Sequence, residues 1–213
     1  MKIIIVDNNY GVTVDSYQEP AWYLLTHSCL HRDNKPLYIP DWDDEFRLFP
    51  SVAVRIDRLG KSIPSRFAHR YYDFWSFGFT LRGMSTLNRL KKAGLPLGGA
   101  CAFDTGAIIA PEWHKISSES FDDESFEICD DSGVISKWNA SSLILKTDDL
   151  ISRLSERMTF KTGDILYLGC PADGILINED FKIIVNRRIK GETDTIFKEI
   201  CGFNIRTYPH KSI

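Results

Sequence analysis

Short runs of β-branched and aromatic residues recur along the whole chain, and they constrain the fold more than any other feature. Such runs favour strands that are buried on one or both faces. The strand signal is strongest at residues 2–6, 51–56, 74–81, 106–111, 125–128, 133–138, 164–169, 181–189 and 195–206. The sequence therefore predicts a mostly β (α+β) protein with only a few short helices.

Three segments carry helix signals. Pro64 is suited to the first turn of a helix that continues toward residue 73, and a second apolar periodicity from Met84 stops at Gly94. Thr147 is a candidate N-cap for a helix over residues 148–158. Residues 7–50 have little periodicity, so we predict an irregular region there with one short helix near residues 22–26.

Size and charge limit the functions to consider. The chain has 213 residues and a net charge of -3, which predicts one domain over residues 1–213 and argues against a nucleic-acid binder. The apolar run near the N-terminus is too short for a signal peptide, and no stretch is long enough to span a membrane. Five scattered cysteines without a CxxC pair fit a reducing compartment, so we expect a cytoplasmic protein.

Two cysteines and an acidic run are the candidate chemical groups. Cys170 lies among small residues in FKTGDILYLGCPADG (160–174), and Cys101 precedes a similar turn. A nucleophilic thiol needs a nearby base, and the spacing of the histidines places none beside either cysteine. We therefore expect both cysteines to be buried packing residues and not nucleophiles. The acidic run at residues 41–45 contains enough carboxylates to bind a divalent cation. Short acidic runs are usually solvated loops, however.

Taken together, several segments resemble the fumarylacetoacetate hydrolase family. Residues 160–174 are similar to the family's signature Gly-Asp turn, strand and Gly-rich loop. VAVRIDRLGKSI (52–63) and RFAHRYYDFWSFGFTL (66–81) resemble the strand, turn, helix and strand of the same fold. CAFDTGAIIAPEW (101–113) and MKIIIVDNNY (1–10) resemble its Lys-x-Phe-Asp segment and its first strand. These matches occur in family order.

The resemblance implies a mixed β-sandwich roll that usually forms a homodimer. It places a variable loop region at residues 1–50 and the β-roll core at residues 51–206. It also implies hydrolase, isomerase or decarboxylase chemistry on 2-oxo or enol carboxylates. In that chemistry Mg²⁺ or Mn²⁺ is held by an acid-x-acid pair and an Asp, a His-Glu pair activates water, and a Lys binds substrate.

The metal-ligand positions implied by the resemblance carry no acid in this chain. The acid-x-acid pair falls on Phe49 and Ser51, and the Asp falls on Thr80. A divalent ion requires several hard, mostly anionic oxygens. Two neutral hydroxyls and a phenyl ring should therefore not hold Mg²⁺, and the resemblance predicts a degenerate metal site with no cofactor.

The implied catalytic positions are also altered. The Lys position is occupied by Cys101, and the His and Glu positions fall on Thr13 and Ser16. The resemblance still predicts a pocket at these sites, lined by Phe49, Ser51, Thr80, Cys101, Asp104, Cys170 and Pro171.

Three functional hypotheses follow. The leading one is a pseudoenzyme that binds a small molecule or a protein partner, as a homodimer or a hetero-oligomer with an active relative. The second is a Mg²⁺- or Mn²⁺-dependent hydrolase, isomerase or decarboxylase whose metal ligands are relocated to Asp43, Asp44 and Glu45, or whose dyad is relocated to Asp15, Glu19, His27 or His31. The third is a thiol hydrolase that uses Cys101 or Cys170.

Overall fold

The computed structural model describes residues 1–11, 19–31, 35–116, 124–190 and 195–207. The strands found in these ranges are β1 (Lys2–Val6), β2 (Trp22–Thr26), β3 (Leu30–His31), β4 (Leu37–Ile39), β5 (Phe46–Ile56), β6 (Tyr72–Gly83), β7 (Ala107–Ile109), β8 (His114–Lys115), β9 (Ser125–Asp130), β10 (Gly133–Asn139), β11 (Ile165–Tyr167), β12 (Ile175–Ile177), β13 (Phe181–Lys190) and β14 (Thr195–Thr207). The predicted mostly β class is confirmed.

The strands form two sheets. The larger sheet has nine strands in the order β2-β1-β11-β5-β6-β7-β3, with β12 paired to β5 and β8 paired to β6. The smaller sheet has five strands in the order β10-β9-β13-β14-β4. The pairs β1–β11, β3–β7 and β4–β14 are parallel, whereas the long neighbours β5–β6 and β13–β14 are antiparallel.

The main core lies between the two sheets. Alternate residues of a strand point to opposite faces, so one set of side chains from each sheet is buried in this layer. Aromatic contacts join the layers: the ring centroids of Phe77 and Phe126 are 5.0 Å apart, and those of Phe79 and Phe203 are 5.4 Å apart. This arrangement is a β-sandwich, which fixes the larger sheet as a rigid platform.

The other face of the larger sheet carries a second apolar cluster. Ile3, Ile5, Ala53, Ile109 and Tyr167 are buried there, in alternation with the residues of the main core. The same alternation places the odd-numbered residues of β5 and the even-numbered residues of β6 on this second face. Phe49, Ser51, Thr80 and Arg82 therefore share one surface of the sheet.

One side of β5 has a gap in its pairing, and this gap positions the loop that follows β11. β11 pairs with residues 53–55 of β5, and β12 pairs with residues 46–48. Residues 168–174 cross the space between them, where Leu168 N donates to Val52 O at 3.0 Å. Pro50 lies in this gap. Because no strand pairs with β5 there, the absence of an N–H group on Pro50 costs no hydrogen bond between strands.

The helices are short and are named α1 (Ser65–Ala68), α2 (Met84–Lys92), α3 (Gly98–Cys101) and α4 (Thr147–Arg157). The first predicted helix ends much earlier than expected, because a 3₁₀ turn at His69–Tyr71 leads directly into β6. The prediction that Thr147 caps α4 is wrong: Thr147 is the first helical residue, and Lys146 is at the N-cap. None of the described helices is long and apolar enough to cross a membrane.

The region before residue 51 is more regular than predicted. The segment Trp22–Thr26, expected to be a short helix, is the strand β2, which pairs antiparallel with β1. Its aromatic and apolar residues complete the second face of the sheet, and this tertiary pairing outweighs the weak local helix signal. β5 likewise begins at Phe46, so the predicted boundary at residue 50 falls inside a strand.

Asp164, in the Gly-Asp turn that the sequence singled out, joins this turn to the first strand. Its buried carboxylate accepts hydrogen bonds from Lys2 N at 2.7 Å and from Lys161 N at 2.8 Å, and it also pairs with Lys2 Nζ. These donors lie on segments far apart in sequence. Asp164 therefore holds β1 beside β11.

We expect Asp164→Asn to lower the free energy of unfolding by about 2 kcal/mol, because the amide cannot satisfy the same buried donors. Urea unfolding monitored by tryptophan fluorescence measures this change. Asp173→Asn, at an exposed position in the next loop, is the matched control and should change stability little. Equal effects of the two substitutions would contradict the assigned role of Asp164.

Candidate active site

The wall of the candidate site is built where the loop after β11 meets the end of β1. Gly169 has φ +135°, and a Cβ atom there would lie 3.1 Å from the Asn9 backbone, so only glycine fits easily. The buried Asn9 side chain donates to Leu168 O at 2.8 Å and to Leu145 O at 3.1 Å. These contacts fix the loop residues that face Phe49 and Ser51.

Ser51 and Phe49 both contact the loop that forms this wall and help to fix its position. Ser51 Oγ donates to Gly169 O at 2.8 Å, and the same carbonyl accepts from Trp138 Nε1 at 3.0 Å. The Phe49 ring lies so close to Gly174 that a Cβ atom there would be 2.8 Å from it. Both side chains are buried. The two positions implied for the acid-x-acid pair are therefore filled by structural contacts.

Arg82 is the charged centre of the site. Its guanidinium carbon lies 4.2 Å from the centroid of the Phe49 ring, in a cation–π geometry. Nη2 donates to Asp7 Oδ1 at 2.6 Å and to Thr80 Oγ1 at 3.3 Å, and it lies 3.5 Å from Cys170 Sγ. Arg82 is only 7% exposed. A buried positive charge thus stands beside Phe49 and Thr80.

The electrostatics keep Arg82 charged. Burial alone would lower its pKa, but neighbouring acidic groups, among them the Asp7 carboxylate, raise the pKa above its usual value. Burial raises the pKa of Asp7, although the Arg82 guanidinium partly offsets this effect. Asp7 lies at the rim, with about a third of its side chain exposed (31%). The ion pair therefore spans from solvent to the interior.

Tyr23 and Cys101 close the other side of the site. Tyr23 lies on β2 in register with Ile5, which puts it on the same face of the sheet as Asp7. Its hydroxyl is buried and has no hydrogen-bond partner among the described residues. Burial raises the pKa of Tyr23 well above 10, so the phenol is neutral. Tyr23 also packs against the cluster that contains Cys101, at the end of α3.

The two predicted thiols reach the site but lack the features of a nucleophile. Burial raises the pKa of Cys170 to about 11, and it also raises the pKa of Cys101. Both effects favour the unreactive thiol over the thiolate. None of the described histidines forms a hydrogen bond with either sulfur. The thiol-hydrolase hypothesis therefore has no geometric support in the described residues.

The remaining predicted residues do not join this centre. Asp104 is exposed, and Pro171 is half-buried; neither forms a described hydrogen bond within the site. Thr13 and Ser16, at the implied dyad positions, lie outside the described residues, as does Asp15. Of the candidates for a relocated dyad, Glu19 lies 3.6 Å from Arg157, His27 is exposed, and His31 Nε2 is 3.2 Å from Lys35 O.

The acidic run at residues 41–45 is engaged elsewhere or solvated. Asp43 accepts hydrogen bonds from the backbone N–H groups of Ser85 and Thr86, at the start of α2, at 3.0 and 2.8 Å. Glu45 Oε1 accepts from Arg47 Nε at 2.6 Å. Asp41 and Asp44 are exposed. In the described ranges, no three or more His, Cys, Asp and Glu side chains come together to hold a metal ion.

Comparison with known proteins identifies the family. The family model for the C-terminal domain of fumarylacetoacetate (FAA) hydrolase matches residues 2–196. The chain belongs to this family. The expected resemblance is thereby confirmed, and the β-sandwich described above is the family's fold.

Relatives of known name lie within the same family. The chain is 26% identical over 157 residues to a mitochondrial oxaloacetate tautomerase of Oryza sativa subsp. japonica, covering 72% of this chain and 70% of the relative. It is 22% identical over 177 residues to a mitochondrial oxaloacetate decarboxylase of Dictyostelium discoideum, covering 80% of this chain and 81% of the relative.

A solved structure shows the same fold. The fumarylpyruvate hydrolase from Pseudomonas aeruginosa, solved in complex with Mn²⁺ and pyruvate, superposes with a TM-score of 0.80 at 15% identity. The match covers 97% of this chain and 89% of that structure.

The residues at the implied metal positions do not fit Mg²⁺ or Mn²⁺. Phe49 offers no donor atom, Ser51 is committed to Gly169 O, and Thr80 Oγ1 accepts a hydrogen bond from Arg82. Hard cations require several anionic oxygens, and the guanidinium charge would repel a second cation at close range. These residues therefore fail to match a metal site for two reasons: they include no acid, and the positive charge of Arg82 lies beside them.

Sequence reasoning missed Asp7, Tyr23 and Arg82. A signal for Arg82 was present, because it is a charged residue directly after the aromatic and apolar run at residues 74–81 that predicted a buried strand. Asp7 directly follows the apolar run of β1. Tyr23 gave no such signal, because it lay in a segment predicted to be helical.

We expect Cys101 and Cys170 to react with iodoacetamide at pH 8 at least about tenfold more slowly than the partly exposed Cys129 in the folded protein. Burial also raises the pKa of Cys129, so the expected difference in rate comes from the deeper burial of Cys101 and Cys170, which limits access of the reagent. Peptide mass spectrometry after timed quenching measures each rate, with urea-unfolded protein as the control. If Cys101 or Cys170 is labelled faster than Cys129, the result would support the thiol-hydrolase hypothesis.

Proposed function

We propose that this family member binds a small organic acid at Arg82 and does so without Mg²⁺ or Mn²⁺. The observation that carries the proposal is the buried guanidinium, which pairs with Asp7 and covers the Phe49 ring. A charge built into the chain would then attract the ligand, and a metal would have no role. The protein would act by binding, as a pseudoenzyme with respect to the family's metal chemistry.

The choice of an organic acid rests on the chemistry of the guanidinium. Arginine has five N–H donors in a planar fork, and a carboxylate is its natural bidentate partner. Within the described residues, the hydrogen bonds of Arg82 come only from Nη2. Small carboxylates also appear among the similar proteins: one relative is named for oxaloacetate, and one structure is solved with pyruvate.

Metal titration tests the first half of the proposal. Isothermal titration calorimetry of metal-stripped protein with Mg²⁺ or Mn²⁺, up to millimolar concentration, should give no heat beyond dilution. The expected result follows because Phe49, Ser51 and Thr80, at the implied metal positions, offer no anionic oxygen. A single saturable site would contradict the proposal, and acylpyruvate turnover assays with added metal would then follow.

The second candidate function is a metal-dependent hydrolase, isomerase or decarboxylase with relocated ligands, as the names of the relatives suggest. Asp43 is the acid of the 41–45 run nearest to the end of β6, since a Cβ atom on Gly83 would lie 2.8 Å from its carboxylate. Its carboxylate already receives the first N–H groups of α2, which a metal ligand would have to give up. We therefore assign Asp43 to capping.

Capping by Asp43 makes a prediction that metal binding does not. Burial opposes ionisation of Asp43, but hydrogen bonds from Thr86, Glu45 and Ser85 hold its pKa below the usual value of 3.8. We expect Asp43→Asn to lower the free energy of unfolding by about 1 kcal/mol at pH 7, because the amide has one oxygen to accept the hydrogen bonds that two carboxylate oxygens now accept. Because the folded-state pKa is depressed, this contribution is present above the unfolded pKa and is lost as the pH falls through the folded one.

Urea unfolding of both proteins at pH 7 and at pH 3 or below measures this contribution, and Asp44→Asn, at the exposed neighbouring position, is the control. If the wild type binds Mg²⁺ or Mn²⁺ in the calorimetric titration and Asp43→Asn does not, the second candidate function would be favoured instead.

A further inference from the structure

A cleft lies at the end of the larger sheet where β5 finishes and β11 begins. Its volume is about 350 Å³, and apolar groups form most of its lining. Ile109 and Ile165, which are buried members of the second apolar cluster, form its floor, and Trp113 packs against the same cluster. A cavity of this size and composition is large enough to hold a small organic molecule.

The cleft is separate from the candidate active site described above. Arg55, which lines the cleft, is on the same face of β5 as Phe49 but six positions further along, so their Cα atoms are roughly 20 Å apart. Ala53 lies between them, in register with Tyr167. The Tyr167 ring is fully buried, and its hydroxyl donates to a backbone carbonyl of β7 at 2.8 Å. This packed layer separates the two ends of the sheet.

Arg55 is the charged group of the cleft, and its neighbours hold it in place. Its guanidinium carbon lies 4.6 Å from the centroid of the Phe74 ring and 5.5 Å from that of the Trp113 ring. Phe74 is the cross-strand partner of Arg55 on β6. Arg55 Nε donates to Asp57 Oδ1 at 3.1 Å. Two aromatic contacts and one ion pair therefore orient the guanidinium before any ligand binds.

The ion pair leaves the outer end of this guanidinium available. In the described ranges, the bond from Nε is the only hydrogen bond of Arg55, so Nη1 and Nη2 make none there. Asp57 is also engaged elsewhere, because its Oδ2 accepts from Asp73 N at 3.0 Å. The Arg55 side chain is 36% exposed. An ordinary surface arginine is mobile and hydrated, whereas this one presents an oriented pair of donors beside an apolar floor.

The lining specifies the class of ligand. The Nη pair matches the two oxygens of a carboxylate, and the Trp113 indole together with Ile109 and Ile165 matches an aromatic ring. A rigid ring packs on these groups without losing the rotational freedom that a flexible chain would lose. A short aliphatic acid could reach the guanidinium but would leave the apolar floor uncovered.

We propose that this cleft is a binding site for aromatic monocarboxylates of one or two rings. Arg55 binds the carboxylate through Nη1 and Nη2, and Trp113 packs against the ring. The site is distinct from the one at Arg82, and it does not depend on the function proposed there.

The test compares 2-naphthoate with its neutral analogue 2-naphthamide. The full chain is labelled with fluorotryptophan, and the fluorine NMR signals of its five tryptophans are assigned by Trp→Phe substitutions. We expect 2-naphthoate to shift the Trp113 signal saturably. The amide should bind at least about tenfold more weakly, because it cannot form a charge-assisted pair with Arg55.

Two other tryptophans are controls in the same spectrum. Trp42 reports on the opposite end of the sheet, because a Cβ atom on Gly83, next to Arg82, would lie 2.6 Å from its ring. Trp138 is fully buried in the main core. Neither signal should follow the titration seen at Trp113.

The Arg55 variants test the charged half of the site. Arg55→Met should weaken 2-naphthoate binding by about tenfold and leave 2-naphthamide binding unchanged, which a merely structural arginine would not predict. Arg55→Lys keeps the charge without the fork and should weaken the acid by about threefold. If Arg55→Met does not fold, as judged by near-UV circular dichroism, the lysine variant decides. Arg58→Met, at a nearby exposed position, is the matched control for net charge and should keep both affinities.

Each outcome bears on the inference. A saturable Trp113 shift that favours the acid and weakens in the Arg55 variants would support it. Equal binding of acid and amide, a preference that survives both Arg55 substitutions, or no saturable shift at Trp113 would overturn it. A titration that moves Trp42 alone would also overturn it and would instead support an acid site at Arg82, so the two proposals can fail separately.

Discussion

The contact between Gly169 and Asn9 is the constraint on which the site depends. Gly169 has a left-handed backbone, and a Cβ atom on it would lie 3.1 Å from the Asn9 backbone. Its carbonyl accepts hydrogen bonds from Ser51 and from Trp138. Ser51 belongs to the larger sheet and Trp138 to the smaller one, so a single carbonyl links both layers. The positions of Phe49, Cys170 and the end of β1 follow from this junction.

This junction also explains why a hydroxyl side chain suits the position of Ser51. A carboxylate in place of Ser51 would face the Gly169 carbonyl, and two acceptors in contact repel each other unless a cation lies between them. Ser51 donates to that carbonyl instead. The positive charge that the site still contains comes from Arg82, and the Phe49 ring beneath it supplies a favourable surface where a carboxylate would have paired. Ser51, Phe49 and Arg82 therefore form one set of mutually supporting contacts.

Much of the fold could be predicted from sequence, because strand signals are local. β1 was predicted with its observed bounds, and the two long C-terminal strands were predicted to within one residue at their ends. β2 was missed because its five residues are stabilised by pairing with β1, which no local pattern reveals. Family resemblance pointed to the region around Phe49, Thr80 and Cys170. It could not reveal that Asp7 and Arg82, 75 positions apart, meet there.

A guanidinium and a divalent metal differ in what they do to a bound acid. A metal ion is a Lewis acid that accepts two oxygens into its coordination sphere and strongly stabilises an enolate. A guanidinium spreads one charge over a plane and binds through directional hydrogen bonds, so it recognises a carboxylate well but polarises a neighbouring carbonyl less. Under the proposed function, a carboxylate bound to Arg82 would be held in its ground state, which favours recognition of the ligand over cleavage of a carbon–carbon bond.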